Sequence, residues 1–205
     1  MSYAPREPQR QRSLLQRIGG GIVALGALIV KLGSLAKFAT LFVAFGGYAL
    51  IWGWQFGLGF VLLIFVHELG HFLEAKREGL NPTLPTFIPF LGAYVKYTRG
   101  NPWQTARVAV AGPLFGALGA LVCYLVARQQ HSDLFDALAY AGFFLNLINL
   151  IPIGFFDGGQ VWRSAQWLRR GGGADKAVLV WTLYVATAAF CVLGAWLAYV
   201  PQHRL

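Results

Sequence analysis

Long apolar stretches separated by short polar segments dominate the pattern along the chain. Five of them match the length of a membrane-crossing helix once their ends are allowed to slide by a few residues. They comprise residues 38–54, 58–73, 105–127, 134–151 and 177–200. In the third stretch, small residues recur at the small-xxx-small spacing that lets membrane helices approach closely, at Gly112, Gly116 and Ala120, with Gly119 beside them. The pattern predicts an all-α polytopic membrane protein with about five transmembrane helices.

Three further segments fall outside these spans. Residues 1–17 are polar and basic, which predicts a flexible cytoplasmic tail. Residues 18–35 are apolar but short and rich in glycine, which favours an N-terminal interfacial helix and leaves a complete span as the alternative. Residues 86–97 form two short extended segments around a glycine-containing turn, which predicts a membrane-associated β-hairpin. Residues 18–200 are expected to form a single membrane-embedded domain.

Composition supports a bilayer environment. Of 205 residues, 57% are hydrophobic and 12% are charged, whereas an ordinary globular domain carries about 25% charged residues. The net charge of +9 is compatible with nucleic-acid binding, but the basic residues cluster at the ends of apolar segments. We therefore expect the lipid bilayer as partner and no nucleic acid.

The distribution of Lys and Arg predicts the orientation. With five spans and the N-terminus inside, fifteen basic residues fall on the cytoplasmic side, and only Arg128 and Arg204 fall outside. This asymmetry predicts a multi-pass protein of the cell (inner) membrane, with its N-terminus and active site on the cytoplasmic side.

Candidate chemistry begins in the second span with His67-Glu68-Leu69-Gly70-His71. Residues four apart share one face of a helix, so both imidazoles can bind one metal ion. Glu68 can then reach a water molecule on that metal and act as its general base. Because ionisable side chains within a membrane span are costly, they are usually functional.

A hydrolytic zinc site typically needs a third protein ligand. His131 and His203 fall on the opposite side of the predicted membrane. Asp157 is the acidic residue that ends an apolar span on the same side as His71. It is therefore a candidate ligand, although Asp also commonly opens a turn before glycines such as Gly158 and Gly159.

These motifs together resemble the site-2 protease family of intramembrane zinc metalloproteases, over about residues 35–160. The 67–71 stretch resembles its zinc-binding motif, and residues 149–159 resemble its second motif, Asn-x-x-Pro-x-x-x-x-Asp-Gly. The Ala111-Gly112-Pro113 string and the 87–97 segment are also similar to the family.

The resemblance implies that His67, His71 and Asp157 bind one Zn²⁺ ion and that Glu68 activates water. It implies that Asn149 lies near the scissile peptide, binding its backbone or stabilising the oxyanion. Both Asn149 and Asn146 are also suited to hydrogen bonding between helices. The implied activity is cleavage of single-span membrane proteins or peptides near the cytoplasmic face, with the predicted hairpin either holding the substrate as an added strand or sealing the bundle.

Three other functions are less compatible with the sequence. A di-metal membrane oxygenase or desaturase needs many histidines, and the chain has four. A metal transporter needs several polar residues along a path through the membrane, whereas these spans are otherwise nearly free of charge. An inactive family member acting as a membrane scaffold remains an alternative, but all the implied catalytic residues are present.

Overall fold

The computed structural model describes residues 39–88 and 92–199. Six helices and two strands occur there in the following order: α1 Ala39–Trp52, α2 Trp54–Arg77, β1 Thr86–Ile88, β2 Gly92–Tyr94, α3 Pro102–Gln130, α4 Asp133–Asn149, α5 Asp157–Arg170 and α6 Ala174–Ala198. The predicted tail (1–17) and interfacial helix (18–35) lie outside the described residues.

Three of the described helices, α2, α3 and α6, are long and apolar enough to cross a membrane. Helix α1 is apolar but shorter within the described residues, and α4 has 17 residues with Asp133 and Asp136 in its first turn. At 1.5 Å per residue, α4 is about 26 Å long, which is less than the hydrocarbon core of about 30 Å. The predicted helical membrane fold is confirmed, whereas the count of about five spans is not.

Helix α3 lies at the centre of the fold and packs against α2, α4, α5 and α6. Its N-terminus is fixed by a capping box, in which Asn101 and Gln104 each accept a hydrogen bond from the other's backbone amide, with Pro102 in the first turn. Small residues dominate its buried face, so the surrounding helices approach its backbone closely.

An ion-pair cluster links the C-terminal end of α2 to α3. Both Arg107 guanidinium nitrogens lie 2.5 Å from carboxylate oxygens, one of Glu74 and one of Glu78. The helix continues beyond residue 73, the end of the predicted second span, to Arg77, because Glu74 pairs with α3 and Lys76 and Arg77 suit a helix C-terminus.

The predicted hairpin is confirmed as a two-stranded antiparallel sheet. Thr86 pairs with Tyr94, Phe87 with Ala93 and Ile88 with Gly92. Gly92 has φ +97°, a conformation that favours glycine. Strand β2 lies against α2, so the hairpin covers the part of α2 that carries the two histidines.

Helix α5 was not predicted, because the sequence after residue 157 is polar and contains several arginines. Its buried residues Val161, Ser164 and Ala165 follow the i, i+3, i+4 spacing of one helix face and pack towards α3 and α6. The opposite face leaves Trp167 exposed. Helix α5 matters for function because its first residue is Asp157.

Candidate metal centre

Three buried side chains from two helices converge on one point. His67 and His71 lie one turn apart on α2, and Asp157 opens α5. Asp157 Oδ2 lies 3.2 Å from the Nε2 atom of each histidine, and the two Nε2 atoms lie 3.1 Å apart. All three residues are less than a tenth exposed. The structure thus brings together the three residues proposed from the sequence as ligands.

The shape of this triangle fits a single metal ion. Tetrahedral coordination with bonds of about 2.0–2.1 Å places neighbouring ligand atoms about 3.3 Å apart. The measured separations of 3.1–3.2 Å are close to that value. Two imidazole nitrogens and one carboxylate oxygen can therefore hold one ion and leave a fourth coordination position open.

The second nitrogen of each imidazole is already engaged. His67 Nδ1 donates to Asn146 Oδ1 at 2.8 Å, and His71 Nδ1 donates to the Val108 carbonyl oxygen at 2.8 Å. With the proton on Nδ1, each neutral ring directs the lone pair of Nε2 into the triangle. Three atoms with free lone pairs, two imidazole nitrogens and one carboxylate oxygen, therefore face one another. This arrangement suits a bound cation.

Asn146 is a functional candidate whose contact the sequence did not reveal. The sequence identified it only as a polar amide in an apolar helix, one turn from Asn149. In the structure it is almost fully buried, and its Nδ2 donates to the Gly142 carbonyl at 2.7 Å. That second bond directs Oδ1 towards His67, so Asn146 links α4 to the candidate centre.

Two glycines of α3 leave room for side chains of the candidate metal centre. A Cβ atom on Gly112 would lie 2.2 Å from His71 Nε2, and one on Gly116 would lie 2.3 Å from Asn146 Oδ1. Neither distance is sterically possible for a real side chain. The small-xxx-small spacing of α3 therefore accommodates side chains of the centre as well as neighbouring helix backbones.

Asp157 reaches the centre because the start of α5 packs closely against the C-terminal end of α4. A Cβ atom on Gly158 would lie 2.1 Å from the Leu150 carbonyl oxygen, so only glycine permits this approach. Gly158 is the second residue of α5, so Asp157 opens a helix rather than a loop turn.

Electrostatics favours an ionised Asp157. Burial alone would raise the pKa of its carboxyl group, but when the imidazoles are protonated and no metal is bound, the charge of His71 and the Nε2–H hydrogen bonds of both rings outweigh this effect. The net result is a pKa below the usual range for Asp. A carboxylate rather than a carboxylic acid therefore faces the two imidazoles.

Glu68 lies beside the triangle and faces open space. Its side chain is 5% exposed, and among the described residues no hydrogen-bond partner reaches its Oε2 atom. Glu68 and His67 line two adjoining cavities of about 340 Å³ each, and Asn149, Ala93 and Phe156 also line both. The two cavities therefore adjoin at Glu68 and leave room for a bound molecule beside the candidate metal centre.

Asn149 is placed differently from Asn146. Its Nδ2 donates to the Leu145 carbonyl oxygen at 3.1 Å within α4, and its side chain lines both cavities. No hydrogen bond joins it to either histidine in the described structure. This position is compatible with the predicted substrate contact, which stays a prediction.

Tyr97 is a further residue near the centre that the sequence did not single out. Its hydroxyl donates to Gln160 Oε1 at 3.3 Å, and both side chains line the cavity that contains Asp157. Burial raises the pKa of Tyr97, and the Asp157 carboxylate adds to this shift. Of the excluded histidines, His131 caps the far end of α3 and His203 lies outside the described residues.

Comparison with known proteins agrees with this arrangement. The sequence matches the model of Peptidase family M50 over residues 55–131 and 126–193, which together cover more than half of the chain. The matched part contains His67, Glu68, His71, Asn149 and Asp157.

Several proteins are similar to the chain in sequence. It is 28% identical over 185 residues to a protein of Mycobacterium tuberculosis named as the zinc metalloprotease Rip3, covering 76% of this chain and 46% of Rip3. It is 26% identical over 184 residues to the chloroplastic zinc metalloprotease EGY2 of Oryza sativa, covering 67% of this chain and 34% of EGY2. The chain thus spans less than half the length of these relatives. Taken with the family match, the paired motifs and their convergence in the fold identify the chain as a member of Peptidase family M50, the site-2 protease family.

Proposed function

We propose that this protein is an intramembrane zinc metalloprotease that hydrolyses peptide bonds of single-span membrane proteins. The observation that carries the proposal is the 3.1–3.2 Å triangle of His67, His71 and Asp157 with Glu68 beside it. Membership of a metalloprotease family and the names of the relatives support it.

The proposed ligands are the Nε2 atoms of both histidines and a carboxylate oxygen of Asp157. Two nitrogens, one oxygen and an open fourth position favour Zn²⁺ among the divalent metals. A zinc ion bound there supplies Lewis-acid chemistry that makes water nucleophilic near neutral pH.

Glu68 is the proposed general base. Its buried carboxylate faces both cavities and has one oxygen free of partners among the described residues, so it can accept a proton from the attacking water. The same carboxyl group then returns the proton to the departing amine. Burial excludes bulk water from this exchange, which helps to keep the proton within the site.

Asn149 is the proposed contact to the substrate backbone. Its side chain lines the cavities beside Glu68, and its amide oxygen is not used by its bond to Leu145. We infer that this carboxamide binds the peptide near the scissile bond. A contribution to oxyanion stabilisation needs a donor hydrogen, and Nδ2 retains one in addition to that given to Leu145.

The substrate must be extended at the moment of cleavage, because helical hydrogen bonding shields its carbonyl groups. Gly92 and Ala93 of β2 line the same cavity as Glu68. Addition of the substrate as a further strand along β2 is the proposed mode of holding it.

Placement in the membrane completes the proposal. The apolar helices and the family indicate an integral membrane protein. We propose that residues 18–200 form one membrane-embedded domain, with the N-terminal tail and the active site on the cytoplasmic side of the inner membrane. In the proposed five-span topology, the excess of Lys and Arg on that side supports this orientation.

The test compares the purified wild-type protein with Glu68→Gln in detergent, using model single-span substrates and mass spectrometry of the products. We expect wild-type cleavage within the span near its cytoplasmic end. The variant is expected to retain its metal and to lose activity by about 10²–10⁴-fold, the usual contribution of general acid–base catalysis. Equal cleavage by both proteins would contradict the mechanism, and absence of wild-type cleavage would favour the scaffold alternative.

A further inference from the structure

We propose that the cavity between α1, α2 and α4 is a subsite that accepts one large apolar side chain next to the scissile bond. This inference rests on the proposed protease function and adds the class of residue that the site selects. The observations that carry it are the position of the cavity, the residues of its wall and the contrast with the cavity on the other side of Glu68.

The position of the cavity ties it to the candidate centre. It measures about 340 Å³ and is open at Glu68 and His67, where it joins the second cavity. Ala93 of β2 lines both cavities. A peptide lying along β2 therefore passes from one cavity to the other, with Glu68 at the junction.

The cavity is lined by residues one helical turn away from those beside the candidate metal centre. Ile64 lies one turn before Glu68 on α2, and Leu145 lies one turn before Asn149 on α4. One helical turn rises 5.4 Å, and neighbouring residues of an extended peptide are about 3.3 Å apart. The side chain next to a bond held at Glu68 thus lies between the level of Glu68 and that of Ile64 and Leu145, within reach of both.

Packed aromatic rings form the end of the cavity that is remote from Glu68. Tyr48 and Phe60 meet edge to face, with ring centroids 5.1 Å apart, and Phe60 stacks on Phe56 at 5.8 Å. Such packed rings offer flat apolar surface that suits an aromatic or branched aliphatic side chain. Small side chains would leave part of this surface without contacts.

Charge distinguishes the two cavities. Among the described residues that line the apolar cavity, Glu68 is the only Asp, Glu, Lys or Arg. An acidic substrate side chain would therefore be buried beside a like charge and without a cationic partner, which is costly. The second cavity also has apolar lining residues, among them Phe155, but it adds the polar groups of Asp157, Tyr97 and Gln160. We therefore expect the stronger selection for apolar bulk at the flanking residue that enters the first cavity.

The test uses one model single-span substrate in which each residue flanking the cleaved bond is changed in turn to Ala, Leu, Phe or Asp. Relative kcat/KM is measured with the wild-type protein, and the affinity of the same series is measured with Glu68→Gln. At one flanking position, Leu and Phe are expected to exceed Ala and Asp by about tenfold or more, as for hydrophobic pockets in general. The other position is expected to show a weaker preference.

A variant whose side chain fills the subsite gives the decisive test. Ile148→Trp places a large ring in the cavity wall and is expected to abolish the advantage of Leu and Phe while Ala substrates are still cleaved. Val122→Trp, on an exposed face of α3, is the matched control and is expected to keep the wild-type ranking.

The outcomes separate the two proposals. A flat ranking in both kcat/KM and affinity, or a ranking that Ile148→Trp leaves unchanged, would overturn the subsite while cleavage itself upheld the protease function. A ranking that persists in affinity without any wild-type cleavage would uphold the subsite and contradict the protease function.

Discussion

His67 Nδ1 donates a hydrogen bond to Asn146 Oδ1 over 2.8 Å, joining α2 to α4 at the candidate metal centre. Asn146 is held in turn by its own bond to the Gly142 carbonyl oxygen. The amide therefore selects the tautomer of His67 whose Nε2 atom is free to bind a metal. Partners of this kind typically change metal affinity by 10–100-fold.

The first prediction concerns Asn146. Replacing it with Ala removes the acceptor for His67 Nδ1 and is expected to weaken zinc binding by about 10–100-fold. Competition with a chelator of known affinity measures this change. Asn149→Ala is the matched control, because Asn149 lies one turn away and makes no hydrogen bond to a histidine in the described structure. It should keep the metal affinity and lower kcat/KM; equal zinc affinity of both variants and the wild type would contradict the role of Asn146.

The second prediction concerns the backbone of α3. Gly112→Ala places a methyl group 2.2 Å from His71 Nε2, which is too close for non-bonded atoms. The histidine must therefore move out of the triangle. Loss of stoichiometric zinc from the folded protein is expected. Gly119→Ala is the control on the same helix, since its nearest contact would be Val66 Cγ1 at 3.3 Å. Full zinc occupancy in Gly112→Ala would show that the described approach of α3 to His71 is incorrect.

The third prediction concerns pH. Zinc and protons compete for the imidazole nitrogens, so binding of the metal releases protons. Zinc affinity is therefore expected to rise with pH and to fall as the solution becomes acidic through the range in which histidine titrates. Asp157, with its lowered pKa, should remain ionised over most of this range. Chelator competition at several pH values measures the slope, and a pH-independent affinity would argue against histidine ligands.

The sequence was informative wherever chemistry is local to one element. The two histidines lie four residues apart on a helix, so their shared face follows from helical geometry alone. The apolar setting of Asp157 at the end of a predicted span distinguished it from the other acidic residues. The hairpin was likewise visible as two short extended segments around a glycine.

Contacts between elements were not predictable in the same way. Asn146 and Asn149 look alike in sequence, because both are amides in one apolar helix, and only the rotation of α4 against α2 distinguishes their roles. Gly112 and Gly116 indicated close approach, but not that side chains of the centre occupy the space. Helix α5 was missed because its buried face is formed by small and weakly apolar residues such as Ser164 and Ala165.

The central claim is that His67, His71 and Asp157 together bind one zinc ion. The most direct test is the zinc content of the purified wild-type protein and of Asp157→Ala after chelation and reloading with one equivalent, with Asp133→Ala as a control for an exposed acid. We predict about one zinc per chain in the wild type and the control, and little retained zinc in Asp157→Ala. Full occupancy in Asp157→Ala would contradict the account.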